Sequence, residues 1–157
     1  VAEREAPEAE AAEAGPPPDV RRWLPWMGLG VAVWAALPWA FGPQVNVADE
    51  SVEIVNHVLP SIVVALASVV ALLARPRPGR VTATRFFCGL VVLLAGLFVM
   101  ATHIPLLLQA ARGEHGTDWV TAIWHNSAAF AVFGLGLLWT VTHWSDLAEM
   151  EAQGKPS

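Results

Sequence analysis

Residues 86–108 read FFCGLVVLLAGLFVMATHIPLLL, 23 positions without an Asp, Glu, Lys or Arg. The hydrocarbon core of a bilayer takes about 20 apolar residues of α-helix. This run is long enough to cross it, and three further stretches share its character: Trp23–Phe41, Ile54–Ala74 and Trp119–Trp144. None of them holds a charged residue, and the charges fall in the segments between. The pattern predicts an all-α, four-helix transmembrane bundle, with spans at about 23–41, 54–74, 86–108 and 119–144.

The remainder of the 157 residues consists of tails. Residues 1–22 are acidic and rich in Ala, Glu and Pro, and residues 145–157 form a short polar end, leaving 23–144 as the membrane domain. The net charge of −5 arises mostly in the first tail, so it says little about partners of the membrane part. That tail lacks an apolar core region, so a signal peptide is not expected, and the initial Val1 is consistent with removal of an initiator Met. VAEREAPEAEAAEAGPPPDV (1–20) has too few large apolar side chains to offset its ordering entropy. It is expected to be ordered only by docking on a partner subunit. The lone Cys88 excludes an intrachain disulfide and reads as a small buried apolar residue.

Charge predicts orientation. Arg21 and Arg22 precede the first span, and Arg75, Arg77, Arg80 and Arg85 crowd the RPRPGR link between the second and third. The loop 42–53 has no Lys or Arg, and the loop 109–118 has only Arg112. Positive loops stay inside, so both termini and the Arg-rich link are expected in the cytoplasm, in a bacterial-type inner membrane. The link can also meet anionic lipid headgroups. Trp23, Trp26, Trp39, Trp119, Trp124, Trp139 and Trp144 read as interfacial belts, which leaves mid-helix Trp34 in need of a lipid or partner contact.

The two halves share landmarks. Asp49 can cap the second helix, with Glu50 and Glu53 in its first turn, and Thr117 can cap the fourth. His57 and His125 each follow their cap by eight residues, with Asn56 and Asn126 beside them. Pro38 and Pro105 are expected to end the first and third helices. These landmarks predict two pseudo-repeated helical hairpins. Leu37-Pro38-Trp39, an outer loop and Val55-Asn56-His57 resemble the SPW-repeat family of integral membrane proteins. The second half matches through Ile104-Pro105 and Trp124-His125-Asn126, although Leu37 replaces the family's Ser and Leu106 its second Trp. The resemblance spans residues 24–144 and implies a fold and topology, with no activity attached.

His57, His125 and His103 are the candidate cofactor-binding residues, all near the outer ends of their helices, with His115 in the outer loop. Ionisable groups at membrane depth face a bundle interior or a partner. Such histidines can hold haem iron, a chlorophyll-type magnesium or a quinone carbonyl. The commoner use is structural, a hydrogen bond to a nearby carbonyl. His143, beside Trp144, is expected at the headgroups or the helix dipole. Gly28, Ala32, Ala36 and Ala40 form a small-residue groove, echoed by Ala67 and Ala71 and by Gly134 and Gly136. It serves close packing inside the bundle or against a foreign helix.

No carboxylate or Lys lies within a span, which argues against a proton pump, an ion-coupled transporter or a voltage sensor. No span is plainly split into half-helices, as transporter repeats often are. There is no phosphate loop, CxxC, HExxH, nucleophile elbow or basic nucleic-acid face. An enzyme acting alone is not expected. The composition fits a non-catalytic accessory subunit of a larger energy-transducing membrane complex, respiratory or photosynthetic. Its partners would be other integral membrane subunits, lipids and pigments, with no nucleic acid. The alternative is an electron-transfer subunit that binds haem, chlorophyll or quinone through the outward histidines.

Overall fold

Long apolar runs cannot leave backbone amides unpaired in hydrocarbon, so they wind into helices. The computed structural model describes residues 19–41, 54–74, 80–114 and 118–153, and these contain helices and no strand. A 3₁₀ turn, Val20–Arg22, leads into α1 (Leu24–Phe41). Helix α2 (Ile54–Leu73) opens with a π turn, Ile54–Val58, and continues as regular α-helix from Leu59. Helices α3 (Arg80–Arg112) and α4 (Trp119–Gln153) are the longest.

Three helices, α2, α3 and α4, are long and apolar enough to cross a membrane, so the protein is membrane-embedded. Helix α1 covers Leu24–Phe41, close to the expected 23–41, and its described apolar stretch Leu24–Leu37 is shorter than the other three. Boundaries also move. Helix α3 starts at Arg80 and α4 runs past Trp144 to Gln153, because Ser145–Gln153 is rich in Ala, Glu, Leu and Met, all good helix formers. Pro38 and Pro105 do not end their helices, which run to Phe41 and Arg112. Neighbouring groups in a membrane bundle can satisfy the carbonyl that a proline leaves without an amide. The tail 1–18, Asp49, Glu50, Glu53, Arg75, Arg77, His115 and Thr117 lie outside the described residues. At the start of α4 it is Asp118 that caps, its Oδ1 accepting from the Thr121 amide at 2.8 Å and its Oδ2 from the Thr121 hydroxyl at 2.9 Å.

Helix α1 packs between α2 and α4, and α3 packs on α4 along most of its length and on α2. Glycine sets that closeness. A Cβ on Gly96 would stand 2.5 Å from Phe133 Cα, and one on Gly136 would strike the backbone of Leu93. The two helices thus run backbone to backbone, the close approach that small residues permit in membranes. One turn along α4, Trp139 is fully buried against Gly89, where a Cβ would strike the indole, and lies beside Gly28, where a Cβ would strike Ser68 Oγ. Trp139 is therefore a core residue and not part of a belt. Trp23, Trp26, Trp119 and Trp144 keep exposed rings.

The small-residue groove of α1 is turned largely inward. Gly28 abuts Ser68 and Trp139, and Ala32 lies in the core, while Ala36 is half-buried and Ala40 exposed. Ala67 and Ala71 of α2 are buried as well. Trp34 needs no outside partner, since its indole N–H donates to Ser127 Oγ at 3.2 Å and its ring meets that of Trp124 edge-on at 5.4 Å. His143 is buried too, its Nδ1–H donating to the Trp139 carbonyl at 3.0 Å, so it does not sit among headgroups. Cys88 is buried and free, as expected. Arg21 pairs with Asp146 at 3.0 Å, which puts the N-terminal turn and the last turns of α4 at one end of the bundle.

Candidate functional site

The other end of the bundle gathers the histidines. His57 comes from the π turn of α2, His103 from the C-terminal third of α3 and His125 from the second turn of α4. All three are buried, at 2, 5 and 4 % exposure, although they are 46 and 22 residues apart in sequence. His57 and His103 meet edge-on with ring centres 4.9 Å apart, and their Nε2 atoms are 3.3 Å from each other. His57 also meets His125 edge-on at 5.7 Å. The backbone of Ala35 on α1 adjoins the His57 ring, so every helix of the bundle borders the cluster.

Local sequence explains how His57 is aimed. Pro60 lacks the amide that would bond the Asn56 carbonyl in a regular helix. The turn ahead of it is wound wide as a π turn, a feature found often at functional sites. Ser61 Oγ donates to the His57 carbonyl at 2.5 Å and ties the wide turn to the helix below. The histidine thus projects from a place where backbone geometry departs from the ordinary helix.

Hydrogen bonds orient the other two rings. His103 Nδ1 lies 2.9 Å from the Val99 carbonyl and donates to it, and the Thr102 hydroxyl shares that acceptor at 2.9 Å. Thr102 Oγ1 is itself 3.1 Å from His103 Nδ1. In a neutral His103, Nε2 is then the lone-pair nitrogen, and His57 Nε2–H donates across the 3.3 Å gap. His125 repeats the arrangement, with Nδ1–H donating to the Thr121 carbonyl at 3.3 Å. An Nδ1–H bond to a backbone carbonyl fixes the tautomer and leaves Nε2 basic, the usual posture of an imidazole that ligates or accepts.

The chemistry of this cluster follows from those distances. Two metal–nitrogen bonds of about 2 Å in line need about 4 Å between nitrogens. The 3.3 Å between His57 and His103 leaves no place for a haem iron held by both from opposite faces. Among the described residues, no set of three His, Cys, Asp or Glu side chains is arranged to hold a metal ion. A single Nε2 lone pair remains suited to one Lewis-acidic centre or to a hydroxyl donor, and an imidazole N–H to a carbonyl oxygen.

Sequence reasoning proposed His57 and His125 as a pair at equal depth. The structure brings all three histidines together and sets His57 closest to His103. Thr102 and the Ala35 backbone went unread; the only available signal was a hydroxyl next to His103. Asn126, fully buried, spends its Nδ2–H on the Ala122 carbonyl at 2.8 Å, and its Oδ1 has no hydrogen-bond partner among the described residues. Comparison with family models, with curated proteins and with solved structures finds no match to this chain.

Proposed function

We propose that this protein is a cofactor-binding subunit of a larger energy-transducing complex in a bacterial-type cytoplasmic membrane, without catalysis of its own. Its histidine cluster docks the ring of a quinone or quinol. The observation that carries this reading is the meeting of three buried imidazoles from three helices, two with Nδ1 committed to a carbonyl. A quinol hydroxyl can donate to the Nε2 lone pair of His125, whose Nδ1–H is given to the Thr121 carbonyl, while the His57–His103 hydrogen bond holds the neighbouring ring in place. Buried polar groups at membrane depth are costly and are kept for such partners. In the same reading both termini face the cytoplasm and the two helix pairs are repeated hairpins, as in the SPW-repeat proteins that the chain resembles. The Arg21–Asp146 pair, which keeps both ends of the described chain together, supports that topology.

The test is a gentle detergent extraction at native expression, with mass spectrometry of co-purified subunits and quantification of extracted quinone. Quinone is expected to accompany the wild type and to be lost in His103→Ala and His125→Ala variants that remain helical and monodisperse. Equal quinone in wild type and variants would remove the cluster from the reading.

A second reading is the purely structural accessory subunit. Gly30 of α1 and Gly134 of α4 favour it, since both are exposed with open space where a side chain would stand. Outward glycines let a foreign helix approach closely. Co-purified energy-transducing subunits without any quinone dependence on the histidines would select it.

A further inference from the structure

We propose that the end of the bundle opposite the histidine cluster binds a phosphate group between α3 and α4, anchored by Arg85 and lined by Trp139, Thr140 and His143. The inference does not depend on the quinone reading. Four buried polar atoms at that end have no hydrogen-bond partner among the described residues: Arg85 Nε, Trp139 Nε1, Thr140 Oγ1 and His143 Nε2. Trp139 and His143 are 0 and 2 % exposed. Buried polar atoms left unpaired are costly, and four in one place require a partner.

Helix register puts the four together. Gly96 faces Phe133, Leu93 faces Gly136 and Gly89 faces Thr140, one constant antiparallel register. Continued by a turn, it sets Arg85 level with His143 and Trp144, in agreement with the Phe86 and Trp144 rings 5.7 Å apart. Arg85 lies about 40° round α3 from Gly89, and His143 lies about 40° round α4 from Trp139 and about 60° from Thr140. These are the faces that the two helices turn to each other. The indole is oriented as well. A Cβ on Gly89 would stand 2.9 Å from Trp139 Cδ1 and one on Gly28 3.2 Å from its Cζ3, so the edge with Nε1 faces α3 and the far edge faces α1.

Charge and depth name the ligand. Arg21, Arg85 and Asp146 act on the His143 ring. Asp146 pairs with Arg21 at 3.0 Å, which leaves Arg85 as the uncompensated cation of the three. A guanidinium N–H, an indole N–H and a hydroxyl are the donors that phosphate oxygens accept from. His143 gives its Nδ1–H to the Trp139 carbonyl, so its Nε2 accepts and suits a hydroxyl beside the phosphate. Arg85 directly precedes the uncharged run 86–108, and Asp146 comes two residues after the run that ends at Trp144, so the site stands at headgroup depth. Arg85 and Thr140 are half-buried, within reach of a headgroup. Phosphatidylglycerol brings a net negative phosphate and hydroxyls, whereas phosphatidylcholine brings neither net charge nor hydroxyl. Inorganic phosphate offers the same chemistry from solution.

The experiment titrates the full chain, delipidated in detergent, with phosphatidylglycerol, phosphatidylcholine or inorganic phosphate. Native mass spectrometry counts retained lipid, and the indole N–H resonance of Trp139, assigned through Trp139→Phe, reports the buried side of the site. One phosphatidylglycerol per chain is expected, with a downfield shift of that resonance, and phosphatidylcholine is expected to bind about tenfold more weakly. Arg85→Gln should lower phosphatidylglycerol retention about tenfold, while Arg22→Gln, at an exposed arginine of the same end, should leave it nearly unchanged. Thr140→Val, almost the same shape, should lower it about threefold and carries the test if Arg85→Gln does not stay monodisperse. A shift produced by inorganic phosphate, in competition with the lipid, would uphold the phosphate site and assign its source to solution. A shift with phosphatidylglycerol alone would assign it to the membrane. Equal retention in Arg85→Gln and Arg22→Gln would overturn the proposal, leaving only the general attraction of basic residues for anionic lipid. A Trp139 resonance that neither ligand moves would overturn it as well.

Discussion

A buried imidazole can satisfy only the partners its tautomer allows, and that rule organises the histidine end of this protein. With Nδ1–H given to Val99, His103 offers Nε2 as an acceptor, and His57 answers as donor. Glycine acts at the same scale through what it lacks. At Gly96 a Cβ would stand 2.5 Å from Phe133 Cα, backbone that cannot swing aside, whereas at Gly134 it would meet nothing within 4 Å. Gly96→Ala is therefore expected to push α3 and α4 apart and to cost about 1–3 kcal/mol. Gly134→Ala should be neutral or stabilise by up to about 1 kcal/mol through helix propensity. Reversible unfolding in mixed micelles measures both. Equal effects would mean that the two helices do not touch at Gly96.

Elements begin and end where a small number of side chains dictate. Pro60 widens one turn and turns His57 inward. Pro105 sits within α3 without ending it, so a proline signals a missing amide and the surroundings decide whether the helix stops. Asp118 caps α4, and donation from the Thr121 amide and hydroxyl holds its carboxyl below the usual aspartate range. A carboxyl depressed in the folded state contributes stability that is fully present above its ordinary range and is lost as pH falls through the depressed value. Hydrogen exchange at the Thr121 amide is thus expected to quicken on acidification below that range, relative to amides in the middle of α4. Asp118→Ala should already exchange quickly at neutral pH and show no such step. A step retained in that variant would assign it to another group.

The whole molecule is a closed ring of helices with two unlike ends. One end carries the Arg21–Asp146 pair, partly exposed and so worth under about 1 kcal/mol, together with Trp23 and Trp144 at the surface. The other carries the histidines. The Arg-rich link predicts that the first end faces the cytoplasm. Single cysteines at exposed positions test this, because Cys88 is buried. Ala111→Cys, at the histidine end, should react in intact cells with a membrane-impermeant maleimide, and Ala148→Cys only after lysis. The reverse pattern would invert the topology.

Much of this follows from the order of residues alone. Uncharged runs of about 20 residues forbid anything but helices in hydrocarbon, so the all-α membrane-embedded class is legible without coordinates. The burial of Cys88 is legible too, as is the candidacy of His57, His103 and His125, because a membrane tolerates few polar groups and each one stands out. Helix rotation is not legible: in spans apolar on every side, no polar face says which way a residue turns. Only tertiary packing could place Trp139 in the core, join Trp34 to Trp124, spend Gly28 and Ala32 inside the bundle and bring three distant imidazoles into contact. Those outcomes depend on backbones that approach to within a missing side chain of each other, a matter of shape between helices that no single span encodes.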